Sequence, residues 1–191
     1  MIKWIVIGVV VVLVIMGFSS YNGLVKLDVE VSRAWSNVES DYQRRADLIP
    51  NLVATVKGYA DFEKSTLTEV IQARASATQV KIDASNLTPE NMAAYQQAQS
   101  GLSSALSRLL VVAENYPDLK ANQNFLDLQA QLEGTENRIN VSRQRFNDTV
   151  ADYENRRKRF PTVLFSGIMG FKERGFFKAE AGSEKAPEVK F

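Results

Sequence analysis

The stretch that decides the fold is "RRADLIPNL", residues 44–52. Apolar residues on both sides are spaced as in a helix, yet proline removes a backbone hydrogen bond from a helix interior. In one arrangement Asp47 caps a new helix and Pro50 lies in its first turn, where its missing N–H has no intrahelical partner to lose. The stretch is then the corner between two helices. In the other, a single long helix is kinked at Pro50. The corner is the simpler arrangement, and we predict it.

Apolar residues recur at steps of three and four along the whole chain after residue 23, which predicts amphipathic helices. Alternating strand patterns are absent from the sequence. The stripes are Leu24, Leu27, Val31, Trp35, Val38 and Tyr42; Leu52, Val56, Tyr59, Leu67, Val70 and Ile71; Tyr95, Leu102, Leu106, Leu109, Ala113 and Tyr116; and Phe125, Leu128, Leu132, Ile139, Phe146, Val150 and Tyr153. Within the first stripe, Trp35 is predicted to be a core residue with its indole N–H hydrogen-bonded.

Prolines mark the predicted helix ends. Thr88 can cap a helix whose first residue is Pro89. Pro117 breaks the chain, and Pro161 ends the fourth helix. Corners near residues 47, 86 and 118 predict an all-α fold in which an N-terminal transmembrane helix precedes an up-down-up-down antiparallel four-helix bundle and an irregular C-terminal tail. The predicted boundaries are 1–23 for the anchor, 24–160 for the bundle and 161–191 for the tail.

The N-terminal segment is long and apolar enough to cross a bilayer. "WIVIGVVVVLVIMGF", residues 4–18, has no charge, and the uncharged stretch continues to Val25. At 1.5 Å per residue, some 20 residues span ~30 Å, the thickness of the hydrocarbon layer. A cleaved signal peptide is the alternative, but no A-x-A cleavage site follows. We therefore predict a retained anchor. The positive charge at Lys3 on its N-terminal side favours the bundle on the extracytoplasmic face, although the charges on the two sides nearly balance.

Composition excludes several classes of site. The 191 residues contain no cysteine and no histidine, which removes Cys/His zinc sites, di-iron Glu-x-x-His sites and Ser-His-Asp catalysis. Phosphate-binding glycine motifs are missing as well. The net charge of +1 gives no reason to expect nucleic acid as a partner. We expect no enzymatic activity and no cofactor.

The ordered motifs of the chain resemble those of the LemA family of bacterial membrane proteins. They are the N-terminal apolar span, "YNGLVKL" (21–27), "AWSNVESDYQRRADLIPNLVATVKGYA" (34–60), "YPDLKANQNFLDLQAQLEGTENRI" (116–139), "RQRFNDTVADYEN" (143–155), "FP" (160–161) and "GFKERGFFKAE" (170–180). The resemblance implies a single-pass anchor and a four-helix bundle, and it brings no established activity. Links of family members to magnetosome membrane formation, and of some genes to a neighbouring membrane zinc metalloprotease, imply membrane-protein partners.

Two polar stretches are candidates for recognition or for a structural role. One includes "RRAD" and the residues that follow it, and the other is "ENRI", residues 136–139. They either form a recognition patch or an ion-pair and capping network between helices, and the network is the simpler interpretation. The candidate residues are Arg44, Arg45, Asp47, Pro50, Asn51, Glu136, Asn137 and Arg138.

The tail is basic and aromatic. Between Arg156 and Lys178 there are seven Lys/Arg and one Glu. Either these side chains rest on the bilayer, where basic residues favour anionic lipids, or the phenylalanines fold back as a latch over the base of the bundle. The candidate membrane-surface residues are Arg156, Arg157, Lys158, Arg159, Phe171, Lys172, Arg174, Phe176, Phe177 and Lys178.

These features predict a membrane-anchored, non-enzymatic scaffold or interaction module at the bacterial cell membrane. Expected partners are the lipid bilayer and other membrane proteins, with a membrane protease and a second copy of the chain as further candidates. The alternative is a lipid-engaging or membrane-remodelling protein that acts through its tail and through self-association.

Overall fold

The computed structural model describes residues 1–58 and 63–179, and every regular element in these ranges is helical. Tyr59 of the second stripe and tail residues 180–191 lie outside the described residues. The helices are α1 (Ile2–Lys57), α2 (Lys64–Gln79), α3 (Pro89–Ala113), α4 (Pro117–Lys120), α5 (Gln123–Lys158) and α6 (Val163–Ser166), with a 3₁₀ turn at Ala84–Asn86 between α2 and α3. The all-helical class is therefore confirmed for this part of the chain.

The predicted corner at "RRADLIPNL" is wrong. Helix α1 continues through Pro50 and ends at Lys57, and the next helix, α2, begins at Lys64. Asp47 is consequently an interior helical residue, and its carboxylate accepts a hydrogen bond from the Gln43 side chain one turn earlier instead of capping a helix. The boundary predicted at residue 23 also falls inside this unbroken helix.

A long-range hydrogen bond accommodates the proline. Pro50 has no N–H to donate to the carbonyl of Ala46, four residues earlier, and Ala46 is buried. Arg74 of helix α2 takes the place of the missing donor, because its Nε donates to that carbonyl at 2.8 Å. The proline thus creates an acceptor that attaches α2 to α1.

We expect Arg74→Met to lower the free energy of unfolding by about 1–3 kcal/mol, because a buried carbonyl loses its donor. The loss should be smaller in a Pro50→Ala background, since an alanine at that position can donate its own N–H to the carbonyl of Ala46. Urea unfolding of both variants and the double variant, followed by circular dichroism in detergent, measures this coupling. Equal losses in the two backgrounds would contradict the compensation.

Other predicted boundaries are confirmed. The Thr88 hydroxyl accepts from the N–H of Asn91 at 3.3 Å, with Pro89 as the first residue of α3. Pro117 opens the short helix α4, and α5 ends before Pro161.

The buried residues form two clusters at different distances from the apolar N-terminal segment. The distal core lies furthest from that segment and contains residues of α1, α2, α3, α4 and α5. The proximal core contains residues of α1, α3 and α5, but none of the described residues of α2. Ile82 and Leu87, which follow α2, and Phe177 of the tail occupy the side that α2 leaves open.

Trp35 is a proximal-core residue, as predicted, and packs edge-on against Tyr95 and Phe146. Its indole N–H, however, has no acceptor among the described residues, so the predicted hydrogen bond is wrong.

The first part of α1 is exposed on every side in the described chain. Every side chain from Ile2 to Ile15 is exposed, and the burial of residues begins only at Gly17. Within the described residues, this is the one helix long and apolar enough to cross a membrane. An apolar surface on all sides of a helix is typical of a membrane span.

Candidate functional site

Arg45 is the centre of a buried polar network between the two cores. It lies on the buried face of α1 and is 2% exposed. Its Nη1 donates to Glu136 Oε2 on α5 at 2.9 Å and to the Ser103 hydroxyl on α3 at 2.8 Å. Its Nη2 donates to the side-chain and backbone oxygens of Gln99, at 2.8 and 3.2 Å.

Gln99 extends the network to the fourth long helix. Its Nε2 donates to the carbonyl of Ala77 near the end of α2, at 3.2 Å. One guanidinium and one amide therefore connect α1, α2, α3 and α5 at a single level. Arg45 also lies over the ring of Tyr42, 5.0 Å from its centroid.

The hydrogen bonds of this network have a structural role, because they connect the helices to one another. Both terminal nitrogens of Arg45 are already bonded to acceptors within the chain, and the group is closed to solvent. An anionic ligand would have to displace Glu136, whose side chain is 43% exposed. The arrangement fixes the relative positions of the helices and offers no free cation to a substrate.

A groove of mixed polar and apolar lining follows the exposed side of the α1–α5 contact. Its volume is about 590 Å³, and the apolar side chain of Val141 is exposed within it. Charged groups of both signs line it, with Asp41 on α1 and Arg138 and Arg145 on α5. The remaining lining residues are Ala34, Asn37, Ser40, Asn137 and Ser142.

A second network attaches the C-terminal segment to the proximal end. The guanidinium of Arg174 pairs with Asp28 of α1 at 2.6 Å and donates to the carbonyl of Ala84 at 3.1 Å. The Glu154 carboxylate of α5 accepts from the backbone N–H of Arg174 at 3.0 Å and from Arg157 at 2.8 Å. Burial raises the pKa of Glu154, but these hydrogen bonds outweigh it and hold the pKa below its ordinary value.

Side-chain amides bind the backbone of the segment that follows. Asn147 of α5 donates to the carbonyl of Phe177 and accepts from its N–H, both at 2.9 Å. Gln96 of α3 makes the same pair of bonds with Lys178, at 2.8 and 3.0 Å. At Gly175 a Cβ would meet the Cα of Pro89 at 2.8 Å, so this backbone passes too close to α3 for a side chain.

The structure divides the predicted signature residues into three groups. Arg45 and Glu136 meet inside the protein, 91 residues apart in sequence. Asn137 and Arg138 line the groove. The remaining members of the set, Arg44, Asp47, Pro50 and Asn51, are exposed on α1 and join neither arrangement.

The predicted membrane-surface residues are divided as well. Arg174 and Phe177 are buried in the protein, and Arg157 is partly buried against Glu154. The ring of Phe171 is partly buried and meets Tyr21 edge-on. The exposed members are Lys158, Arg159, Lys172, Phe176 and Lys178, and Arg156 is intermediate.

The sequence analysis did not identify Gln99, Ser103, Asp28 or Glu154. A signal existed for Gln99, because it interrupts the third apolar stripe four residues after Tyr95 and three before Leu102. Arg45 interrupts the first stripe in the same way, three residues after Tyr42. Among the described residues, no group of three His, Cys, Asp or Glu side chains is placed to hold a metal ion.

Comparison with known proteins defines the class of this all-helical chain. The model of the LemA family matches residues 34–191, and the chain belongs to this family. It is 25% identical over 178 residues to magnetosome protein MamQ of Magnetospirillum gryphiswaldense, and 24% identical over 185 residues to MamQ 2 of Paramagnetospirillum magneticum. These matches cover 82% and 86% of the chain but only 64% and 66% of the relatives' own length. Protein LemA of Metamycoplasma hominis is 23% identical over 83% of the chain and 68% of the relative.

Proposed function

We propose that the protein is a membrane-anchored, non-enzymatic scaffold of the bacterial cell membrane. The observation that carries this proposal is the contrast along α1. The helix is apolar and exposed on every side up to Ile15, and from Gly17 onward it packs against the rest of the chain. A lipid environment stabilises such an exposed apolar first part, whereas the second part has the buried and exposed faces of a water-soluble helical domain.

An up-down-up-down antiparallel four-helix bundle is the proposed arrangement of α1, α2, α3 and α5. Three contacts between α1 and the chain from α5 onward support it, because the residue numbers rise along one partner as they fall along the other. These contacts are Ser20 with Thr162, Trp35 with Phe146, and Arg45 with Glu136. Helices α2 and α3 run in the same opposed sense, with Ala77 against Gln99 and Glu69 against Arg108.

The groove between α1 and α5 is the proposed docking site for another membrane protein. It combines an exposed apolar side chain, Val141, with the charges of Asp41, Arg138 and Arg145. Interface centres combine apolar contact with arginine in this way. The bundle is anchored at one end, so the groove runs upright from the membrane and faces a neighbour in the same bilayer.

We expect a photo-crosslinking residue at position 141 to capture discrete partner bands in native membranes. The same residue at position 111 is the control, because Val111 is equally apolar and even more exposed, at 69% against 47% for Val141, but lies on α3, outside the groove. Arg138→Glu should reduce capture without changing the thermal midpoint. Equal capture from both positions would contradict a specific groove, and capture only of a second copy would replace the scaffold with a homo-oligomer.

The bundle is proposed to lie on the extracytoplasmic side. The positive charge of Lys3, on the N-terminal side of the apolar span, supports this orientation. Because the sequence has no cysteine, Ser76→Cys on the exposed face of α2 provides a single label site. We expect a membrane-impermeant thiol reagent to label it in intact cells. Labelling that occurs only after lysis would reverse the orientation.

Lipid engagement by the C-terminal segment is a second candidate function. One observation favours it: Phe160, Leu164 and Ile168 are large apolar side chains that remain exposed beside the anchor.

A further inference from the structure

We propose that residues 160–169 form a second membrane-inserted element, a wedge that enters the bundle-side leaflet next to the α1 span and contacts acyl chains there. This inference rests on the proposed membrane anchor and adds a contact that the anchor does not require.

The wedge has the reverse of the side-chain distribution found in water-soluble proteins. Its buried side chains are the polar ones, Thr162 and Ser166. Its exposed side chains are large and apolar, and two of them are almost free of contacts, with Phe160 70% and Ile168 89% exposed. Val163 and Leu164 are also exposed. Polar groups inside and apolar groups outside match a lipid surrounding.

The wedge lies at the level of the span. The Thr162 hydroxyl meets that of Ser20 at 3.5 Å, and the Met169 methyl lies 3.9 Å from the position of a Cβ on Gly17. Phe165 and Met169 form one wall of an apolar groove of about 560 Å³, and the other wall is formed by α1. The α1 residues of this groove are Val10, Leu13, Val14, Gly17, Phe18 and Tyr21.

The depth of the wedge follows from helix geometry. Gly17 is four residues from Tyr21, which is ~6 Å along the helix axis. An element packed at Gly17 therefore lies within the ~5–10 Å that interfacial segments reach below the headgroups. Tyr21 and Phe171 pack edge-on, with ring centroids 5.7 Å apart. This pair marks the expected level of the membrane–water interface, where aromatic side chains are enriched.

Charges border the wedge on both sides. Arg159 precedes it and Lys172 follows it, and both are exposed. The guanidinium of Arg156 lies 3.2 Å from the position of a Cβ on Gly23, just beyond Tyr21. Basic groups beside an apolar element complement anionic headgroups, so the expected lipid is anionic.

The backbone of the wedge is suited to a dry environment. Hydrogen bonds close its successive turns, including Ser166 N–H to Thr162, Met169 N–H to Phe165 and Phe171 N–H to Ser166, at 2.9 to 3.0 Å. A segment in lipid must satisfy its own backbone groups in this way.

The test uses the full chain, which has no native cysteine, with one cysteine introduced at a time and labelled with an environment-sensitive fluorophore. Ile168→Cys reports on the wedge and Leu164→Cys is its second site. Val9→Cys reports on the span, and Val111→Cys is the solvent-exposed control. Each variant is reconstituted into vesicles of phosphatidylcholine and phosphatidylglycerol that carry a lipid spin-labelled near the headgroup end of the acyl chain.

We expect the labels at 164 and 168 to be quenched severalfold more strongly than the label at 111, with blue-shifted emission. Quenching at 9 without quenching at 164 and 168 would overturn the wedge and leave the proposed anchor standing. Absence of quenching at all three would overturn both. A blue shift at 168 without quenching by lipid means that protein covers the segment, and it also overturns the wedge.

Discussion

Replacing Phe177 with alanine is expected to lower the free energy of unfolding by about 3–5 kcal/mol, the range for removing a buried phenylalanine from a core. The ring is 5% exposed. It stacks on Trp35 with centroids 6.2 Å apart and meets Phe146 edge-on at 5.5 Å. Alanine would leave a cavity between these rings that the rigid α1 and α5 cannot close. Urea unfolding of the full chain in detergent measures the loss.

The neighbouring phenylalanine provides the control. Phe176 is 42% exposed, and Phe176→Ala should lower the free energy of unfolding by less than about 1 kcal/mol. A loss as small for Phe177→Ala as for Phe176→Ala would show that these phenylalanines do not act as a latch. A loss at Phe177 alone would exclude a bilayer contact for this ring and assign it to the proximal core.

Arg45→Met is expected to lower the free energy of unfolding by about 2–4 kcal/mol. Methionine keeps the apolar stem but removes the donor to the buried side-chain oxygen of Gln99. Glu136 also loses its partner. It adds less to the loss of stability than a fully buried carboxylate would, because its partly exposed side chain can turn toward water. Thermal unfolding followed by circular dichroism reports the change.

Arg44→Met is the matched control, since Arg44 is adjacent in sequence and exposed. Its effect should stay within about 0.5 kcal/mol. Arg45→Lys should fall between the two, because an ammonium group keeps the charge but cannot make the same set of directed bonds. Equal losses in the free energy of unfolding for Arg44→Met and Arg45→Met would mean that the positive charge matters and that the hydrogen-bond network of Arg45 does not.

The helical class and most helix ends could be predicted because they depend on local patterns. Apolar steps of three and four identify the buried faces, and Thr88 with Pro89 forms a cap within a few residues. The corner at Pro50 failed for the opposite reason. The carbonyl that Pro50 leaves without an intrahelical donor is satisfied by Arg74, 28 residues further along the chain. No local rule for proline contains such a donor.

The candidate site was predictable in part. Arg45 and Glu136 were both identified, but their pairing depends on the register of α1 against α5, which periodicity does not fix. Gln99 could have been found as a polar residue in an apolar stripe. The sequence could not distinguish a latch over the bundle from a membrane contact. A basic, aromatic segment can pack on either surface, and only the neighbouring residues in the structure decide between them.

The open side of the proximal core has a consequence for biosynthesis. The buried residues of the distal core all lie between Ile49 and Leu132, so that half can pack while the ribosome is still translating. The proximal half needs Phe177, and it remains incomplete until residues far downstream have been made. With α1 synthesised first, we expect assembly to proceed from the distal core toward the anchor, so that the part next to the anchor closes last.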